Sequence, residues 1–165
     1  MQELLPVEAY LDIETTGLSR TACQITVVGL YLVAGASERV VQLVGPEITA
    51  SNLAAALAWV RAIYTYNGSR FDLPFIHCHL GLNLEETHNH SDLMYGCWQN
   101  NLYGGLKSVE RQLNIKRKLT EVNGYEAVRL WWRYARYGDR NALVTLLAYN
   151  REDVVNLKLL RERLL

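Results

Sequence analysis

A chain of 165 residues, 50% hydrophobic and 21% charged, is long enough to bury its own core and too apolar to be disordered. Its 17 basic and 17 acidic residues cancel, so no global field draws it to nucleic acid or to an anionic membrane, and any such attraction must be local. Cys23, Cys78 and Cys97 form no CxxC pair, Met1 to Pro6 lacks the segments of a signal peptide, and no apolar run approaches the ~20 residues of a membrane helix. The expectation is one domain over residues 1–165, cytoplasmic, with free thiols and no membrane partner.

Val7, Ala9, Leu11 and Ile13 alternate with Glu8, Tyr10, Asp12 and Glu14, the two-residue period of a half-buried strand, until Gly17 breaks it. Gln24 to Val33 is rich in Ile, Val and Leu and reads as a second strand; Ala34 to Ser37 turns the chain, and Glu38 to Val44 returns antiparallel. Ser51 is a cap for a helix running to Arg61, with Leu53, Leu57 and Val60 inward. Ala62 to Tyr66 reads as a buried strand emptying into the loop Asn67-Gly68-Ser69, and a helix covers Leu73 to Leu80. Thr87 to Met94 holds another short strand, with small helices through Leu113. Asn123 or Gly124 opens a helix that Gly138 ends, and Asp139 caps the last and longest one, whose core stripe includes Leu146, Asn150, Val154 and Leu157. Three hairpin-connected strands followed by alternating helices and strands describe an α/β domain, its mixed sheet antiparallel at first and parallel later.

Asp12 and Glu14 project from one face near a strand end. At ~5 Å and an effective dielectric of ~20, such a like-charge pair costs roughly 3 kcal/mol, and a divalent cation is the simplest remedy; a strand tip running into solvent is the other reading. Asp72 follows the fourth strand, where the carboxyl ends of parallel strands collect ligands, and it also suits a helix N-cap beside Pro74. Tyr149 and Asp153, four apart, share one face of the last helix, as a boundary pair or as part of a site.

Taken together, DIETTGL (12–18), YNGSRFDLPF (66–75) and YNREDVVNL (149–157) resemble, in this order, the three motifs of the DEDD superfamily of 3′–5′ exonucleases. The Tyr-x-x-x-Asp form of the third is that of its tyrosine-bearing subgroup, and the second is similar to the proofreading domain of family B DNA polymerases. The resemblance implies a ribonuclease-H-like fold in which Asp12, Glu14, Asp72 and Asp153 hold two divalent ions, Mg²⁺ or Mn²⁺. Tyr149 would orient the attacking water, while Leu18, Asn67 and Phe71 would meet the terminal nucleotides of a DNA or RNA 3′ end. Hard oxygen ligands suit those metals. The alternatives are a nucleic-acid-binding module on the same fold and an RNA-trimming or oligonucleotide phosphodiesterase.

Three further features are weighed. Arg129, Arg133, Arg136 and Arg140, with Trp132 nearby, would line one stripe if the helix ran past Gly138, either to bind phosphates or as a solvated face with Glu126 pairing Arg129. Lys116-Arg117-Lys118 reads as a basic loop. His88, His90 and Asp92 alternate as on a strand, but no fourth ligand at zinc spacing accompanies them. Asp92 also falls where some relatives carry a further acidic residue.

Overall fold

In the computed structural model, which describes residues 5–165, the strand carrying Asp12 and Glu14 lies at the centre of the sheet. The signal-peptide reading rests in part on residues 1–4 and so lies partly outside the described residues. β1 (Val7–Thr15) pairs antiparallel with β2 (Ile25–Ala34), which pairs antiparallel with β3 (Ser37–Val44). On its other side β1 pairs parallel with β4 (Val60–Thr65), and β4 with the short β5 (Asn89–Asp92). The sheet order is β3-β2-β1-β4-β5, the mixed arrangement the element order predicts.

β1 is buried on both faces, not half-buried. Ala9, Leu11 and Ile13 join Leu53 of α1 (Ala50–Ala56), Leu57 just past its end, and Leu73, Phe75 and Ile76 of α2 (Asp72–Leu80) in one core. Tyr10, on the opposite face, packs with Val154, Leu157 and Leu160 of α7 (Arg140–Leu164). Each fully buried Leu or Ile contributes roughly 1.5–3 kcal/mol, so the two cores hold the central strand from above and below. A strand that reads as one apolar and one polar face is thus covered twice, because Tyr10 is 2% exposed and the carboxylates beyond it lie beneath α7.

Four boundaries differ from expectation. Thr49, not Ser51, caps α1 by accepting from Asn52 N at 3.0 Å, and α1 stops at Ala56, short of β4, which begins at Val60. Asp72 is the first residue of α2 and Phe71 occupies the cap position. The region from Thr87 resolves into α3 (Leu84–Thr87), β5, α4 (Leu93–Gln99) and α5 (Leu106–Gln112). As the sequence predicts, α6 (Gly124–Tyr137) ends at Gly138, whose φ of 66° is a left-handed turn that glycine adopts without a Cβ penalty, so Arg140 belongs to the next helix. The arginine stripe is therefore broken. Arg129 pairs with Glu126 at 3.3 Å, Arg133 with Asp139 at 2.6 Å, and Arg136 lies over the Trp132 ring at 4.6 Å.

Among the described residues no helix is long and apolar enough to cross a membrane, and the three cysteines are free thiols.

Candidate active site

Asp12 stands in β1 opposite Gly29 of β2. A Cβ on Gly29 would lie 2.0 Å from Asn150 Oδ1, so only glycine leaves room for that side chain against the sheet. Asn150, fully buried on α7, uses the room. Its Nδ2 donates to the Asp12 carbonyl and to Asp12 Oδ2, both at 3.2 Å, and its Oδ1 accepts from Gln42 Nε2 at 3.0 Å. Gln42 also donates to the Leu147 carbonyl at 2.8 Å. This chain of bonds fixes α7 over the carboxyl half of β1. It thereby brings Asp153 to Asp12 and Glu14, with one carboxylate oxygen from each of the three within 4.8 Å of the others.

Asp72 reaches the same place from the start of α2, but differently. Its Oδ1 accepts the Ile13 N–H at 3.0 Å, so it stays outside the close group of three while its charge still bears on Asp12 and Glu14. Tyr149, 6% exposed, stands one turn before Asp153. Leu18 and Phe71 wall a cleft of about 240 Å³ that also takes in Asp12, Glu14, Tyr149 and Asp153. A second lobe of about 310 Å³ shares Asp12, Tyr149 and Asp153 and adds Tyr66, Lys107 and Asn123.

Burial, followed by the charge of Asp153, pushes the Asp12 and Glu14 carboxyls well above the ordinary carboxylate range. Burial lifts Asp72 to about 7 against the pull of its backbone hydrogen bonds, and lifts Asp153 to about 6 against the pull of Arg117. The Tyr149 hydroxyl moves up as well, from burial and then from the Asp153 charge, so it stays a neutral donor. Glu14 Oε1 is buried without a hydrogen-bond partner, a state costing about 1–3 kcal/mol unless something satisfies it. An orphaned carboxylate oxygen beside two more carboxylates is a donor set made for a hard cation, and a divalent ion with oxygen preference fits.

Asn67 is not among the residues lining either lobe. With φ at 59° it turns the chain, and its N–H donates to Asp92 Oδ1 at 2.8 Å. Asp92 also accepts from Ser69 N and Oγ and from Met94 N, so it ties the loop after β4 to the start of α4. That employs both of its oxygens. His90 is likewise engaged, by Thr65 Oγ1 at 2.9 Å and Glu85 at 3.5 Å, so β5 offers no zinc site.

Several residues of the site are silent in the sequence. Lys107, from α5, donates to the Val122 carbonyl and lies 4.5 Å from the centre of the Tyr149 ring. Arg117, expected on a basic loop, does lie in a loop, but its side chain is 6% exposed and pairs with Asp153 and with the buried Glu110. Asn150 and Gln42 are the others. The one available signal was Asn150, a polar residue in a leucine stripe; nothing local marks the rest.

 The family B DNA polymerase from the hyperthermophilic archaeon Pyrobaculum calidifontis is similar over 96% of this chain and 24% of its own, at 14% identity and a TM-score of 0.71. A structure described as the apo form of a nuclease matches over 95% of this chain and 70% of its own, at 22% identity and a TM-score of 0.63. Exonuclease I, in a complex with an inhibitor, matches over 87% of this chain and 44% of its own, at 14% identity and a TM-score of 0.51. The chain thus spans about a quarter of the polymerase and less than half of exonuclease I, and at these identities the likeness is one of fold. No curated protein sequence matches the chain. The model of the RNase H superfamily matches residues 9–165, from near the start of β1 to the end of the described chain, and so takes in the sheet, the helix that covers it and every carboxylate of the cleft. On that match and this fold, the chain belongs to the RNase H superfamily.

Proposed function

We propose that the chain is a metal-dependent 3′–5′ exonuclease of the tyrosine-bearing DEDD type, removing nucleotides from single-stranded or frayed ends of DNA or RNA in the cytoplasm. The observation that carries the reading is the buried group of Asp12, Glu14 and Asp153 oxygens within 4.8 Å, in a cleft walled by Leu18, Phe71 and Tyr149. Structural likeness to a nuclease and to exonuclease I supports the same reading at the level of fold.

Asp12, Glu14, Asp72 and Asp153 would hold two ions, Mg²⁺ or Mn²⁺, which when bound make water a nucleophile at neutral pH and stabilise the leaving oxygen of an in-line displacement. The chain's own residues do the rest. Tyr149, kept protonated by burial, donates its hydroxyl to hold the attacking water in line. Leu18, 87% exposed at the mouth of the cleft, and Phe71 press on the terminal base. Lys107 sets a positive charge on the second lobe, against the phosphate. Asn67 acts through the turn it makes, which aims Phe71 at the cleft. Beyond Phe71, Arg70 lies 5.6 Å from the Trp98 ring and 5.9 Å from the Tyr95 ring, an exposed surface suited to phosphates and stacked bases.

DNA and RNA oligomers, each labelled at either end, test the proposal in Mg²⁺, Mn²⁺ or EDTA. Stepwise shortening of the 5′-labelled strand with either metal, immediate release of a mononucleotide from the 3′-labelled strand, and no cleavage in EDTA are expected. Undiminished cleavage in EDTA overturns the metal mechanism, and binding without cleavage in either metal makes the chain a binding module.

A further inference from the structure

Arg117 lies on the loop between α5 and α6, yet α7 encloses it. Its Nη1 donates to both oxygens of Glu110, at 2.8 and 2.9 Å, and its Nη2 donates to Asp153 Oδ1. Its Nε lies 3.5 Å from Glu152 Oε1, and its guanidinium centre lies 5.5 Å from the middle of the Tyr149 ring. Glu110 is fully buried and accepts a further bond from Asn156 Nδ2 at 3.2 Å. Glu152 accepts from Lys118 N and Leu119 N at 2.9 and 3.1 Å, which fastens the loop itself. Tyr149, Glu152, Asp153 and Asn156 fall at i, i+3, i+4 and i+7, so one face of α7 carries the whole arrangement.

The consequence lies in how Asp153 is shared. Glu110 and Glu152 hold the guanidinium as well, so it is not free to swing out when a cation enters. One guanidinium also serves two buried carboxylates, so it only partly offsets the charge of Asp153. We infer that Arg117 is a positioning residue that holds one oxygen of Asp153, leaves the other for a divalent ion, and weakens that ion's binding by standing beside it as a fixed positive charge. This rests on the metal-dependent reading above, and it adds that the cluster is tuned for exchange of its ion rather than for tight retention.

The test is Mn²⁺ titration by electron paramagnetic resonance and calorimetry, beside single-turnover cleavage. Arg117→Gln removes the charge. Glu110→Gln/Arg117→Gln removes the buried pair together and so keeps the fold where the single change leaves Glu110 unpaired. Arg117→Gln should bind Mn²⁺ about tenfold more tightly, because a nearby like charge is gone; the double variant should also bind more tightly than the wild type, but by less, because the more distant Glu110 charge goes with it, and cleavage should fall in both because Asp153 is free to turn. Arg117→Lys, which keeps the charge, should keep the wild-type Mn²⁺ affinity. A merely structural arginine would weaken Mn²⁺ binding together with cleavage, and that result, or an unchanged affinity in the double variant, overturns the inference. Wild-type protein that takes up no Mn²⁺ overturns the metal reading and this inference with it, whereas tighter binding in the variants without any cleavage by the wild type would leave this one standing and remove only the exonuclease.

Discussion

Tyr149 is where one hydroxyl can be separated from everything around it. Its ring packs beside Lys107 and Arg117, and those contacts need the aromatic face rather than the oxygen. Tyr149→Phe keeps the ring, leaves Asp153 one turn away and touches no carboxylate. On the proposed function only the hydrogen bond to the attacking water would be lost, and positioned groups of this kind are worth ~10²–10⁴ in rate. With the ion supplying most of the activation, kcat should fall roughly 10- to 1,000-fold while Mn²⁺ affinity is unchanged. Single-turnover cleavage beside Mn²⁺ titration measures both, and wild-type cleavage by the variant would reduce Tyr149 to a packing residue.

At the scale of elements, the site depends on how closely α7 sits on β2. Gly29 sets that approach, since any side chain there meets Asn150 within 2.0 Å. Gly29→Ala must push α7 away or displace Asn150, and either change breaks the bonds that Asn150 makes to Asp12. Overpacking of this sort costs about 1–3 kcal/mol. Urea unfolding should show that loss as a lower midpoint at unchanged slope, and cleavage should fall with it because Asp12 loses its support. A variant as stable and as active as the wild type would mean that α7 is not held by this contact. The same logic gives Asp92 its place: four donors from the loop after β4 and from α4 meet on one carboxylate, which makes it a tie between elements.

For the whole molecule, the buried carboxylates tie stability to pH. Asp72 and Asp153, at about 7 and about 6 in the fold, keep protons that the unfolded chain gives up near 3.8. Between those values the native state binds more protons than the unfolded one, so stability falls as pH rises. The contribution is whole below about 3.8 and is lost as pH climbs through 6 and 7. Without metal, the melting temperature should therefore drop between pH 5 and pH 8, by about 2–4 °C for each kcal/mol lost in a chain of this size. Saturating Mn²⁺ should reverse the trend, because the ion takes the place of the protons and binds only the folded state. Scanning calorimetry across that range, with and without Mn²⁺, measures it, and a flat profile in the absence of metal would show the cluster to be solvated.

The sequence by itself determined the elements and the carboxylate strings, because both are local. Alternation marks β1, Asn123 and Asp139 mark the starts of α6 and α7, and Gly138 marks the break between them. Asp12 and Glu14 share a face because a strand has a period of two, and Tyr149 and Asp153 because a helix turns every 3.6 residues. Tertiary structure decided everything that joins distant parts of the chain. Asn150 meets Asp12 across 138 residues, and that meeting depends on the register of β1 with β2 and on a missing Cβ at Gly29. Arg117 reads as one residue of a basic loop, but the path of that loop beneath α7 buries it between Glu110 and Asp153, 36 residues away. Sheet order made β1 central, and α7, packed across it, covered the polar face that alternation left open. Local pattern fixes which way a side chain points along its own element; only packing fixes what it finds there.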